Sequence, residues 1–321
     1  MIRSFVFSAA VAAAVAASIP AAAFAQNAPV AGANAPPVAG ANAPPVAIVA
    51  PPPRLDTNVL FGKDTPVVPM AEWSVEQKGA AEQTGARVLI AAGPAELGRA
   101  PPEASRYDSQ TFRFPSGDIR VLTFRKANGG VLHQVTSEKS IYVVKGSALV
   151  DVAGVATEIF AGDVVSLPGG VLRSRPGKSE DTTILAFSVL DGAPNPRAMV
   201  IRGKDAKPAV IKAGAKAGLG NTTVTVQRYP FDGNSIRAAT LSGEGRTAPV
   251  VPTVDALIYV LSGPMQITIG DEVKTVSAGD ALREPAGLST HWDVPRKGSF
   301  IATNGVPLVP PPPAAVAPAS R

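Results

Sequence analysis

The strongest constraint on this chain is that one pattern occurs in it twice. From His133 it reads H-Q-V-T-S-E-K-S-I-Y-V-V-K-G, then a two-stranded run, then A-G-D-V-V-S-L-P-G-G; the pattern returns as I-Y-V-L-S-G at 258–263 and A-G-D-A-L-R-E-P-A-G at 278–287. Tyr259 minus Tyr142 is 117, and Gly263/Gly146, Gly279/Gly162, Pro285/Pro168 and Gly287/Gly170 keep that spacing. A spacing held without a gap over both motifs implies one structural unit used twice.

The texture around the motifs is short and alternating. Gln110–Phe114, Asp118–Arg125, Ile141–Val144, Ala148–Val152, Thr157–Phe160, Val164–Leu167 and Thr182–Val189 read as strands, broken by turn residues such as Pro115-Ser116-Gly117 and Asn128-Gly129-Gly130. The second copy repeats the plan with Thr222–Tyr229, Ser235–Leu241, Leu257–Leu261, Gln266–Ile269, Val273–Val276 and Ser299–Ala302. Strands at this spacing with almost no helix between them argue for antiparallel barrels or jelly rolls. Outside them, the best helix candidate is Ala71–Ala86, weakened by Gly79, and Val88–Ala92 reads as a short strand.

The ends are of a different kind. Arg3, the apolar run Phe5–Ile19 and the small-x-small site Ala23-Phe24-Ala25 fit a cleaved signal peptide over residues 1–25, which predicts a periplasmic or secreted protein. That run is shorter than the roughly 20 residues a spanning helix needs, and no other segment predicts a membrane span. Residues 26–53 are an uncharged Ala/Pro-rich linker in which V-A-G-A-N-A-P-P occurs at 30–37 and 38–45; this composition predicts an extended, disordered tether. The remaining segments are an extension at 54–106, a first barrel at 107–195, a second at 196–305 and a Pro-rich tail at 306–321.

The sequence has no cysteine, which excludes disulfides, thiolate metal sites and a cysteine nucleophile. The 30 basic and 25 acidic residues are scattered, with no run of five basic ones, so a solvated surface is expected rather than nucleic-acid binding. No motif supports a hydrolytic triad, a P-loop or a dinucleotide site.

Both copies resemble the cupin superfamily, whose two motifs look like G-x5-H-x-H-x3,4-E-x6-G and G-x5-P-x-G-x2-H-x3-N. Tyr142-Val143-Val144-Lys145-Gly146 with Gly162…Pro168-Gly169-Gly170 matches their frame, as does Tyr259-Val260-Leu261-Ser262-Gly263 with Gly279…Pro285-Ala286-Gly287. The resemblance covers about 107–305 and implies an all-β fold of two tandem antiparallel cupin-type barrels, a double-stranded β-helix or jelly roll built twice (a bicupin).

The family's metal ligands, three histidines and a glutamate, are carried over poorly. Counting from Gly146, the four positions fall on His133, Val135, Lys139 and Arg173; in the second copy they fall on Val250, Pro252, Ala256 and Thr290, with His291 one residue beyond. One histidine per barrel cannot make a three-nitrogen site, and Lys139 and Arg173 would put positive charge where a cation should sit. No metal and no cofactor are therefore expected. Two readings of the first barrel stand open. His133, Lys139 and Arg173, with Tyr142 nearby and Arg120 or Arg125 joining, could form a cationic pocket for a carboxylate or sugar acid. Alternatively Lys139 and Arg173 reach out to water and His133 is an ordinary half-buried residue. In the second barrel only His291-Trp292, taken as a rim pair able to stack on a sugar, stands out.

The reading that follows is an exported, metal-free small-molecule binder or structural module without assigned catalytic residues. An enzyme stands as the alternative, either metal-dependent with an unusual ligand set or a metal-independent acid–base isomerase. Resemblance also implies a homodimer.

Overall fold

The computed structural model describes residues 55–76, 87–92, 98, 100, 104–126, 133–135, 140–152, 155–166, 172–176, 181–189, 198–212, 222–231 and 234–305. All of these lie in one compact unit, Ala47–Arg321. The expected signal peptide, the octapeptide linker, the Pro-rich tail and Lys139 lie outside the described residues.

The described residues form twenty-three strands in four antiparallel sheets, with one 3-10 turn at Gly62–Asp64. The first barrel sets an eight-stranded sheet against a four-stranded one. The large sheet runs β13 (Met199–Ile201), β10 (Val164–Ser166), β7 (Ser140–Lys145), β12 (Thr182–Val189), β5 (Gly117–Phe124), β4 (Ser105–Phe114), β2 (Val67–Glu76) and β3 (Arg87–Ala92). The small sheet runs β6 (His133–Val135), β11 (Leu172–Pro176), β8 (Ser147–Val152) and β9 (Val155–Phe160).

The second barrel repeats this plan. Its large sheet is β1 (Val59–Leu60), β21 (Ala281–Glu284), β18 (Ala256–Ser262), β23 (Lys297–Gly305), β16 (Asn234–Ser242), β15 (Thr223–Pro230) and β14 (Ala209–Lys212). Its small sheet is β17 (Gly245–Arg246), β22 (Thr290–Val294), β19 (Met265–Ile269) and β20 (Glu272–Val276).

Strand alternation divides most of the buried apolar residues into three large cores, beside a small cluster of Ala71, Ala100 and Ala104. Leu122, Phe124, Ile141, Val143, Val150 and Ile184 fill the first barrel, while Leu241, Ile258, Val260, Ile267, Leu282 and Trp292 fill the second. The third core lies between the barrels. The opposite faces of the two large sheets meet there through Phe112, Phe114, Leu185, Phe187, Tyr229 and Leu257. The barrels therefore pack back to back. Two edge-on aromatic pairs cross this layer, Phe112 with Tyr259 at 6.0 Å and Tyr229 with Tyr142 at 6.2 Å.

The lead-in to each barrel is strapped onto the other. β1 precedes the first barrel but pairs with β21 of the second; β13 precedes the second but pairs with β10 of the first. The contacts are equivalent. The N–H of Gly62 donates to Asp280 Oδ1 at 2.8 Å, and that of Gly203 to Asp163 Oδ1 at 2.8 Å. Gln110 Nε2 donates to the carbonyls of Gly62 and Thr65, and Gln227 Nε2 to those of Gly203 and Ala206. Each strap carries Gly-Lys-Asp, at 62–64 and 203–205, spaced by 141 rather than 117 because the first copy holds the extra strand β3. Glycine is required there: a Cβ on Gly203 would lie 2.6 Å from the Gly162 carbonyl oxygen, and one on Gly62 would collide with that of Gly279.

One expectation is overturned here. Ala71–Glu76, the first half of the expected helix, belongs to β2; residues 77–86 lie outside the described residues. β2 pairs with β4 on one side and, from Ala71 onward, with β3 on the other. Long-range pairing of its backbone outweighs a weak local helix preference already lowered by Gly79. Pro69 sits before β3 begins, where the missing N–H leaves no ladder bond unmade.

Candidate functional site

A polar group enclosed in the second barrel is the best-formed candidate site among the described residues. β16, β21 and β22 turn alternate residues inward, and on those faces Arg237, Glu284, Thr290 and Trp292 share the interior with the apolar core. Trp292 Nε1 donates to Glu284 Oε1 at 3.3 Å, and Thr290 also hydrogen-bonds Glu284. The indole stacks on Phe300 with ring centroids 4.9 Å apart. Its main-chain N–H donates to Thr247 Oγ1 at 2.9 Å, which fixes the strand position that aims the ring.

Electrostatics mark the two ionisable groups. Burial pushes the Glu284 carboxyl above its usual range, and Arg237 together with the bonds from Trp292 and Thr290 pulls it back only in part. Burial likewise lowers the Arg237 guanidinium, opposed by Glu284 and reinforced by Arg228. Both residues keep some accessible surface, so they are enclosed without being sealed from solvent. A guanidinium beside a carboxyl group that resists ionisation can take a carboxylate ligand, with Glu284 as a proton-bearing donor.

The metal test fails in this barrel on donor chemistry. Of the four positions matched to the family ligands, Val250, Pro252 and Ala256 carry no side-chain donor atom for a metal, and Thr290 is a buried neutral hydroxyl engaged with Glu284. Among the described residues no group of three His, Asp or Glu could hold an ion.

The other sequence candidates are distributed as follows. Trp292 is not a rim residue; it is 5% exposed and part of the core. His291 does not turn inward. Regular alternation along β22 leaves it on the outer face, with Nε2 3.8 Å from Asp293 Oδ2. Tyr142 projects away from the first barrel's interior into the layer between barrels. Arg120 alternates with Ile119 and Val121 and so faces the first barrel's inside, whereas Arg125 is exposed and paired with Asp108 and Asp181.

The side chains of His133 and Arg173 lie outside the described residues, but their strands are placed. β6 and β11 are neighbours, with Ser174 opposite His133 and Arg173 opposite Gln134. His133 and Arg173 thus occupy opposite faces of that sheet. The constant spacing of 117 breaks after the second motif. Ser174 is opposite Val150, whose counterpart Ile267 is opposite Trp292, a spacing of 118. Ser174 therefore holds the place of Trp292, and Arg173 falls out of step with Thr290.

Arg237 and Glu284 were missed by sequence reasoning because it looked only where the family keeps its metal ligands. The available signal was a charged residue at an inward step of a strand: Arg237 between Ile236 and Ala238, and Glu284 two residues after Leu282.

The comparisons agree with this architecture. Residues 234–297 match the EutQ-like cupin domain family. With its paired-sheet barrels, the chain has the cupin fold. Similar solved structures include a putative glyoxylate-induced protein from Pseudomonas aeruginosa, at 14% identity and TM-score 0.51 over 79% of this chain and 92% of that one. An oxalate decarboxylase aligns at 11% identity and TM-score 0.51 over 80% of this chain and 79% of the other. AerE from Microcystis aeruginosa aligns at 12% and TM-score 0.50 over 62% and 92%. At these identities the likeness concerns the fold alone. Among curated proteins nothing matches.

Proposed function

We propose that this chain is an exported cupin-fold protein, built of two tandem barrels, that binds a small carboxylic acid or sugar acid in its second barrel. The observation carrying the proposal is the enclosure of Arg237 and Glu284 together, with Thr290 and Trp292 bonded to the carboxyl group. Arg237 would meet the ligand carboxylate, Glu284 would keep its proton to donate, and Trp292 would form a flat wall. Binding would be metal-independent. The leader-like residues 1–25 support export, since cleavage would fall after Ala25. Homodimerisation belongs to the same proposal and is supported by the edge strand β9, where Val155 and Phe160 are exposed.

Titration calorimetry of the mature protein with malonate and glucuronate tests the site. Arg237→Met should weaken binding by about tenfold or more, as expected for one charge-assisted hydrogen bond. Absence of binding by either acid, or unchanged affinity in a folded Arg237→Met variant, overturns the proposal.

A further inference from the structure

The layer between the barrels contains a cleft of about 250 Å3 against the outer face of the second barrel's large sheet. Its walls include Thr225, Gln227, Ala238, Thr240 and Ser299 from the second barrel and Tyr142 from the first, and every lining residue among those described is uncharged. Gln227 is fixed by its bonds to the strap carbonyls of Gly203 and Ala206, and Ser299 Oγ lies 2.7 Å from Ser262 Oγ.

Two observations mark this as a built site. The first is Tyr142. Its ring is largely covered, with the residue only 8% exposed, and it lines the cleft. Burial and the Asp163 carboxylate both oppose its ionisation, so it remains a neutral donor. The hydroxyl is open to the cleft rather than sealed in the layer, so a ligand oxygen can accept from it in place of water. The second is the comparison of the two copies. At the position of Ala238 the first barrel has Val121, which is packed into the layer. The cleft opens where the repeat has lost that bulk.

We propose that this inter-barrel cleft is a second binding site, independent of the charged interior, for a small neutral molecule rich in hydroxyl or carbonyl oxygens. Tyr142 donates to one such oxygen, Thr225 and Thr240 offer further hydroxyls, and the apolar wall covers one face of the ligand. The volume is below the roughly 300–1,000 Å3 usual for drug-sized ligands, which limits the occupant to monosaccharide size or smaller. A lining that is uncharged among the described residues selects against acids, the class assigned to the barrel interior.

The test is thermal shift and titration calorimetry of the mature protein with myo-inositol, D-xylose and D-glucose, with glucuronate as the charged comparison. The expected result is millimolar binding of at least one neutral probe. Tyr142→Phe should weaken it about three- to tenfold, the loss expected for one neutral hydrogen bond. Ala238→Val, which restores the first copy's side chain, should abolish it, and Arg237→Met should leave it unchanged. Failure of all three neutral probes to bind overturns the proposal. So does binding that survives Ala238→Val, or binding lost in Arg237→Met, which would place the ligand in the barrel instead. Failure of glucuronate alone counts against the barrel site and leaves this one standing.

Discussion

Asp163 is the residue through which the strap preceding the second barrel is fixed to the first. Its Oδ1 accepts from the Gly203 N–H at 2.8 Å, and its Oδ2 accepts from the Phe160 N–H at 3.0 Å and from Arg202 Nη1 at 2.8 Å. The carboxylate is 5% exposed, so water cannot readily replace it. Asp163→Ala leaves two backbone donors unmet, at about 1–3 kcal/mol each, while partly exposed Arg202 returns to solvent at small cost. The sum is about 4 kcal/mol, and at about 2–4 °C per kcal/mol for a domain of this size the melting temperature should fall by about 8–16 °C. Asp280→Ala should lose a similar amount, because Asp280 likewise accepts from two backbone donors, the N–H groups of Gly62 and Ser277. Urea unfolding followed by tryptophan fluorescence reads the effect, with Trp292 reporting on the far barrel. A loss below about 1 kcal/mol for Asp163→Ala would refute the reasoning. So would a midpoint shift with Trp292 unaffected, since the straps are argued to couple the barrels.

Two further outcomes follow from the second barrel and its strap. Because the folded state holds the Glu284 proton to higher pH than the unfolded chain, the wild type should lose stability as pH rises from the ordinary carboxylate range through the raised value. Glu284→Gln should flatten that slope, and a stability difference between the two that is constant from about pH 4 to about pH 8 would contradict it. Gly203→Ala should destabilise by more than a surface substitution, since the added Cβ meets the Gly162 backbone, and unchanged thermal melting would count against the strap geometry.

The repeat made the barrels legible because glycines and alternating strands are local signals. Thr182–Val189 is expected and observed with the same limits. What the sequence concealed depends on partners far along the chain. β2 is a strand because β3 and β4 flank it, which no window around Ala71 displays. β1 is two residues long and has no pattern of its own. Arg173 and Thr290 were taken as equivalent because both follow their second motif by the same offset, whereas in that strand the copies are spaced by 118, and one residue is enough to exchange the faces of a strand. Trp292 was placed at a rim for lack of any sign of Glu284, the group its indole N–H bonds.

The reciprocal straps also affect the order of events at synthesis. The first barrel emerges with β10 as an unfinished edge, its buried Val164 and Val165 lacking the β13 neighbour, until the chain has been made as far as Ile201. The segment at Val59–Leu60 is among the first described residues to be made and waits longest, since its partner β21 lies near the other end. Maturation is therefore governed by the last-made barrel, and a nascent chain stalled before Ala281 leaves both halves with an edge or a strap unsatisfied.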